Sequence, residues 1–236
     1  MGYYGMGYYG MGYYQSMIIL IPAIIFALYA QAKVKTTFSK YLRVRNSNNI
    51  TGMEAARKIL NHNGLSNIEI EYARGSLSDH YDPRKRVLRL SSEVYNGTSV
   101  ASVSVAAHES GHAIQHAKGF VPLSIRNSIA PTVGFASQAA FPLALLGFFM
   151  GSGGDFLINI AIYLYSAAVF FQVITLPVEF NASSRAILQL EKNNIITSNE
   201  IKGAKSVLNA AALTYVAAMA VAIGNLLRLM LLRNRR

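Results

Sequence analysis

The chain has 236 residues, of which 52% are hydrophobic and only 14% charged, and its mean hydropathy of +0.28 is too apolar for an ordinary soluble domain, so a membrane protein is expected. It contains no cysteine, which excludes disulfides and cysteine-ligated zinc. The net charge of +11 could serve nucleic acid, but the cations cluster beside apolar segments without a basic-aromatic motif; anionic lipid head groups explain them better, and no nucleic-acid partner is expected.

In chain order, residues 1–16 form a low-complexity head repeating Met-Gly-Tyr-Tyr-Gly, with no means of burying a core. Residues 17–32 carry no charge and read as a transmembrane anchor. Ala30-Gln31-Ala32 resembles a signal-peptidase site, yet the cations follow the apolar stretch instead of preceding it, so the anchor is expected to stay uncleaved. Those cations are Lys33, Lys35, Lys40, Arg43 and Arg45, whereas the head has no charged side chain. The positive-inside rule therefore puts the region after the anchor in the cytoplasm.

Residues 33–130 read as one small α+β domain. Thr51-Gly52-Met53-Glu54 has capping-box spacing and opens a helix that should end near Asn63-Gly64. Residues 67–72 and 86–91 alternate as two strands of a small antiparallel sheet, with Asp82-Pro83-Arg84-Lys85 as turn residues between them. A helix over residues 99–118 follows. Residues 131–150 and 156–176, separated by Gly151-Ser152-Gly153-Gly154-Asp155, read as a transmembrane hairpin (131–176). Residues 177–206 hold a helix that Pro177 should start. The last segment, 207–236, is apolar to residue 232 and then basic. It either spans, leaving Arg233, Arg235 and Arg236 outside against the rule, or packs on the domain without crossing.

The helix over 99–118 carries His108-Glu109-Ser110-Gly111-His112. Residues four apart on an α-helix lie roughly 40° apart in azimuth and about 6 Å along the axis, so two imidazoles there can hold one metal ion. Glu109 beside the first ligand can reach a water on that metal and take its proton, as a zinc hydrolase requires. The surroundings are Ala, Val, Gly and Ile, and burying unpaired polar groups there costs a few kcal/mol each. Something must bind them.

A catalytic zinc usually has three protein ligands. Gln115 and Lys118 stand where a metzincin needs Gly and His, which excludes that class. His116 lies about 80° in azimuth from His108 and reads as a surface or supporting histidine. Glu179, two residues after Pro177, is the better candidate: a hairpin returns the chain to the side of the motif helix, and a carboxylate benefits from a helix N-terminus. An exposed strand near the metal could pair with an extended substrate, and residues 86–91 are the candidate edge.

Several stretches in order, His80-Tyr81-Asp82-Pro83, residues 85–91, residues 94–101, the His-Glu-Ser-Gly-His-Ala-Ile-Gln helix and Leu176-Pro177-Val178-Glu179-Phe180, resemble the YugP-type membrane zinc metallopeptidases of bacteria over residues 17–230. The resemblance implies a neutral zinc endopeptidase in the bacterial cell membrane. That family is distantly similar to the HtpX and Ste24 peptidases, in which a membrane hairpin also separates the histidines from a glutamate ligand. Those relatives carry an Asp four residues after the glutamate; here it is Ser183, with Asn181 or Asp82 as substitutes for supporting a zinc-bound histidine.

The expected fold is a mainly α, multi-pass membrane protein with about four transmembrane or membrane-associated helices and a zincin-like α+β domain facing the cytoplasm. His108, His112 and Glu179 are expected to bind one Zn²⁺, Glu109 to act as the base, and His80 or Tyr81 to donate to the oxyanion. Peptides, or unfolded and membrane proteins, are the expected substrates, with a role in membrane-protein quality control by analogy. The competing readings are an intramembrane protease of the site-2 type and a non-catalytic scaffold stapled by its metal.

Overall fold

The computed structural model describes residues 18–234, the side chain of Ser152 excepted; the head at 1–16, Met17 and the two final arginines lie outside them. The described residues form two compact units, one of residues 30–124 and 176–214, the other of residues 18–29, 125–175 and 215–234.

The first unit contains the small domain. After α1 (Leu20–Leu42) comes α2 (Gly52–His62), opened by the capping box: Thr51 Oγ accepts from the Glu54 N–H at 3.2 Å, and Glu54 Oε2 accepts from the Thr51 N–H at 2.8 Å. Each bond satisfies a donor that the first helical turn leaves without a partner. The helix stops where Gly64 takes φ +71°, a conformation that costs glycine nothing, and the Leu65 N–H closes on the Leu60 carbonyl at 2.9 Å. Ala55, Ala56, Ile59 and Leu60 line its buried face.

A three-stranded sheet follows: β1 (Glu69–Ala73), β2 (His80–Asp82) and β3 (Val87–Ser91), in the order β1-β3-β2. It is mixed, not antiparallel as expected: β1 pairs with β3 in parallel, and β2 with β3 antiparallel. The stretch His80–Asp82, whose last residue reads as turn in the sequence, is itself a strand. It carries the chain back along the far side of β3, so the two longer strands run the same way. The turn after it is tied by Asp82 Oδ1, which accepts from the N–H groups of Arg84 and Lys85. In consequence β3 is the central strand, and the candidate substrate edge at 86–91 is corrected: the edges are β1 and β2. Arg89 in the middle of β3 pairs with Glu71 at 3.0 Å on one neighbour and Asp82 at 3.2 Å on the other.

After α3 (Ser92–Tyr95), the motif helix α4 runs Val100–Ala117, with Ser99 Oγ accepting from the Ser102 N–H as its cap. It is buried along most of its length, within a core that includes Ile59, Leu60, Leu88, Leu90, Ile114, Leu190 and Ile195. Val100, Ala101, Val103, Ala106, Ala107, Ala113 and Ile114 supply its buried apolar contacts.

Three helices among the described residues are long and apolar enough to cross a membrane: α5 (Val121–Phe149), α6 (Asp155–Lys192) and α7 (Ile201–Asn234). α1 is not one of them. A 3₁₀ turn, Gly151–Gly154, links α5 to α6. Phe135, Phe141, Phe149, Phe156, Tyr163 and Phe170 are exposed on them, a display compatible with lipid. α6 is continuous through Pro177; the expected helix start there is corrected. α5 likewise contains Pro131 and Pro142. Proline interrupts the backbone ladder but need not break a helix in an apolar bundle, where neighbouring groups satisfy the freed carbonyl.

The capping box gives a direct check on the domain. Thr51→Ala should lower stability by about 1 kcal/mol, measured as a downward shift of the thermal midpoint in detergent.

Candidate metal centre

The site lies within the unit that holds α4 and residues 176–214. Gly111 sets its spacing: a Cβ there would stand 2.7 Å from the Ala182 carbonyl oxygen and 3.4 Å from the Ala182 Cα. The two helices therefore touch backbone to backbone, which only glycine allows. Ala182 is three residues from Glu179 and next to Ser183, so the same face of α6 presents both to α4.

His108 and His112 stand edge to face with ring centroids 4.8 Å apart. Glu179, 2% exposed, places Oε2 3.3 Å from His108 Nε2 and 3.6 Å from His112 Nε2. One ligand atom from each of the three lies within 4.8 Å of the others. Tetrahedral zinc with bonds of about 2.0–2.1 Å needs ligand atoms about 3.3 Å apart, so the donor set suits that ion and the two distances to Glu179 Oε2 are near the required spacing.

Each histidine is held from behind. Ser183 Oγ lies 3.2 Å from His108 Nδ1, and Gln115 Oε1 lies 2.9 Å from His112 Nδ1. Ser183 thus stands beside His108 itself, and neither proposed substitute does. Asp82 is engaged by Arg89 and the β2–β3 turn, and Asn181 by Gln115 and Arg185. Gln115, which the sequence offered only as grounds to exclude the metzincins, is fully buried against His112.

Glu109 accepts a hydrogen bond from the Tyr81 backbone N–H on β2 at 3.0 Å. Burial pushes its carboxyl above the ordinary value; the imidazoles of His108 and His112 oppose that, and the carboxyls of Glu179 and Asp79 add to it. Asp79, which sequence reading passed over, is itself raised by burial and accepts from the N–H and hydroxyl of Ser91. For His112, burial alone favours the neutral ring, but the bond to Glu179 and the charges of Glu109 and Glu179 outweigh it and leave the ring above its usual value.

The side chains of the other candidates have hydrogen-bond partners of their own. The Tyr81 hydroxyl bonds His116 Nδ1 at 2.9 Å. His116 is exposed and outside the three-residue group. His80, also exposed, has Nδ1 2.8 Å from the Ser78 carbonyl and Nε2 3.4 Å from an Arg89 nitrogen.

Comparison with known proteins places the chain in a family. The family model described as "Putative neutral zinc metallopeptidase" matches residues 16–234. The "Putative membrane protease YugP" of Bacillus subtilis (strain 168) is 50% identical over 212 residues, covering 90% of this chain and 93% of that protein. No solved structure matches.

Two measurements follow from the geometry. Gly111→Ala must push α6 away from α4, and a displacement near 1 Å is expected to cost on the order of a hundredfold in activity, together with weaker zinc binding by titration. Zinc affinity should also fall with acid: a ring protonated at His112 cannot ligate, and because its value is raised above 6.5, the fall should begin above pH 6.5. A flat affinity from pH 8 to 6 would contradict this.

Proposed function

Because the chain belongs to this family of neutral zinc metallopeptidases, we propose that it is a membrane-anchored zinc endopeptidase. In this reading the chain crosses a bacterial membrane several times, with residues 17–32 as one anchor and the catalytic domain towards the cytoplasm. The observation that carries the activity is the convergence of His108, His112 and Glu179 on one point, with Glu109 one residue from the first of them. Held by those three residues, a zinc ion would supply Lewis acidity for a peptide carbonyl and would lower the pKa of water to about 7.

The protein's own groups do the rest. Glu109 accepts the proton of the attacking water and hands it to the leaving amine, so its proton is returned when the C–N bond breaks. The Tyr81 N–H steers Oε2 of Glu109, and the raised carboxyl value makes it a better proton acceptor than a solvated glutamate. β2 is the edge strand nearest the base, so an extended peptide added along it would lie beside Glu109. His80 and Tyr81, both on β2, remain our candidates for the oxyanion donor. Backbone pairing of that kind reads shape more than sequence and suits unfolded or membrane proteins as substrates, hence a role in quality control.

Glu109→Gln tests the reading. The variant should bind zinc as the wild type does and lose hydrolysis of an unfolded membrane protein, by on the order of a hundredfold or more; chelator should abolish the wild-type activity. Retained cleavage in the variant would contradict the role of Glu109.

A further inference from the structure

Gln115 has both ends of its amide committed. Its Nε2 donates to the Val178 carbonyl at 2.8 Å and to Asn181 Oδ1 at 3.0 Å, and its Oε1 faces His112 Nδ1 at 2.9 Å. A backbone carbonyl can only accept, so turning the amide over would set oxygen against oxygen at Val178. Asn181 repeats the constraint: its Oδ1 also takes the Arg185 Nε–H at 2.7 Å, and a guanidinium can only donate. Neither amide can flip without loss. The direction of every bond in the run Arg185, Asn181, Gln115, His112 is fixed by groups that have no alternative role.

A carbonyl oxygen facing His112 Nδ1 demands that Nδ1 carry the proton. In the neutral ring Nε2 is then a bare lone pair, pointing at Glu179 Oε2 3.6 Å away. Two electron-rich atoms turned towards one another are costly unless a cation sits between them. His108 is held differently, because the Ser183 hydroxyl beside its Nδ1 can donate or accept.

We propose that Gln115 is a positioning residue which, locked by Val178 and by Asn181 with Arg185, fixes the Nδ1–H tautomer of His112 and so presents Nε2 as a ready metal ligand. Its purpose rests on the zinc-peptidase reading; its structure does not. The element delivering the third ligand thereby also sets the second, since Val178, Asn181 and Arg185 all belong to α6 with Glu179.

The first test needs neither metal nor activity. In zinc-free, ¹⁵N-histidine-labelled protein at alkaline pH, with His112 assigned by its loss in His112→Asn, the ring should show a protonated Nδ1 and an unprotonated Nε2. An Nε2-protonated ring would overturn the proposal. The second is zinc affinity by competition titration. Gln115→Leu should weaken binding by roughly 10–100-fold. A leucine variant that binds like the wild type would overturn it. Failure of the wild type to bind zinc would instead sink the functional reading and leave the tautomer result standing.

Discussion

The close contact of α4 with α6 at Gly111 and Ala182 is the constraint on which the site depends. Helices packed through ordinary side chains keep their axes about 8–10 Å apart. Here a Cβ on Gly111 would already be 2.7 Å from the opposing carbonyl, so the backbones meet, and a side chain as short as glutamate reaches both imidazoles. The histidines come from a helix buried in the domain core and the carboxylate from a helix whose earlier residues are apolar enough to cross a membrane. Metal binding would therefore clamp together segments 67 residues apart, 179 minus 112, and stability gained from the ion is gained by that contact.

Around it the polar groups are arranged in two layers. Nε2 atoms and a carboxylate face inward; Ser183, Gln115 and the Tyr81 N–H hold His108, His112 and Glu109 from behind. Such supports matter because a ligand free to rotate loses the geometry that makes it a ligand. They are drawn from α6, α4 and β2, so the geometry of the site is shared by elements that pack on a single core. The low-dielectric setting strengthens each of these bonds and makes any missing partner expensive.

Much of this was legible in the sequence, for reasons that differ by residue. His108 and His112 announce themselves because a helix turns fixed spacing into a shared face. The capping box at Thr51 is equally explicit, its four residues doing in the fold what they do in isolation. Glu179 was found by tracing the hairpin, although one supporting reason fails: Pro177 lies inside α6, so the carboxylate gains nothing from a helix N-terminus. Local proline preference lost to the continuity of an apolar helix. β2 was hidden because a three-residue strand that ends in Asp82, just before Pro83, looks like a turn, and missing it reversed the pairing of the longer strands. Gln115 carries no signature at all. A buried glutamine acquires its role only when α6 brings Val178 and Asn181 against it, a long-range fact no local pattern holds.

The central claim is that one zinc ion is gripped jointly by two imidazoles of α4 and the carboxylate of α6. Zinc X-ray absorption on the purified protein, compared with Glu179→Ala, tests it most directly. The account predicts two histidine nitrogens and an oxygen at about 2.0–2.1 Å in the wild type, with the imidazole scattering kept and the carboxylate oxygen lost or replaced by solvent in the variant. Identical spectra for the two proteins, or a wild-type spectrum without histidine scattering, would contradict it.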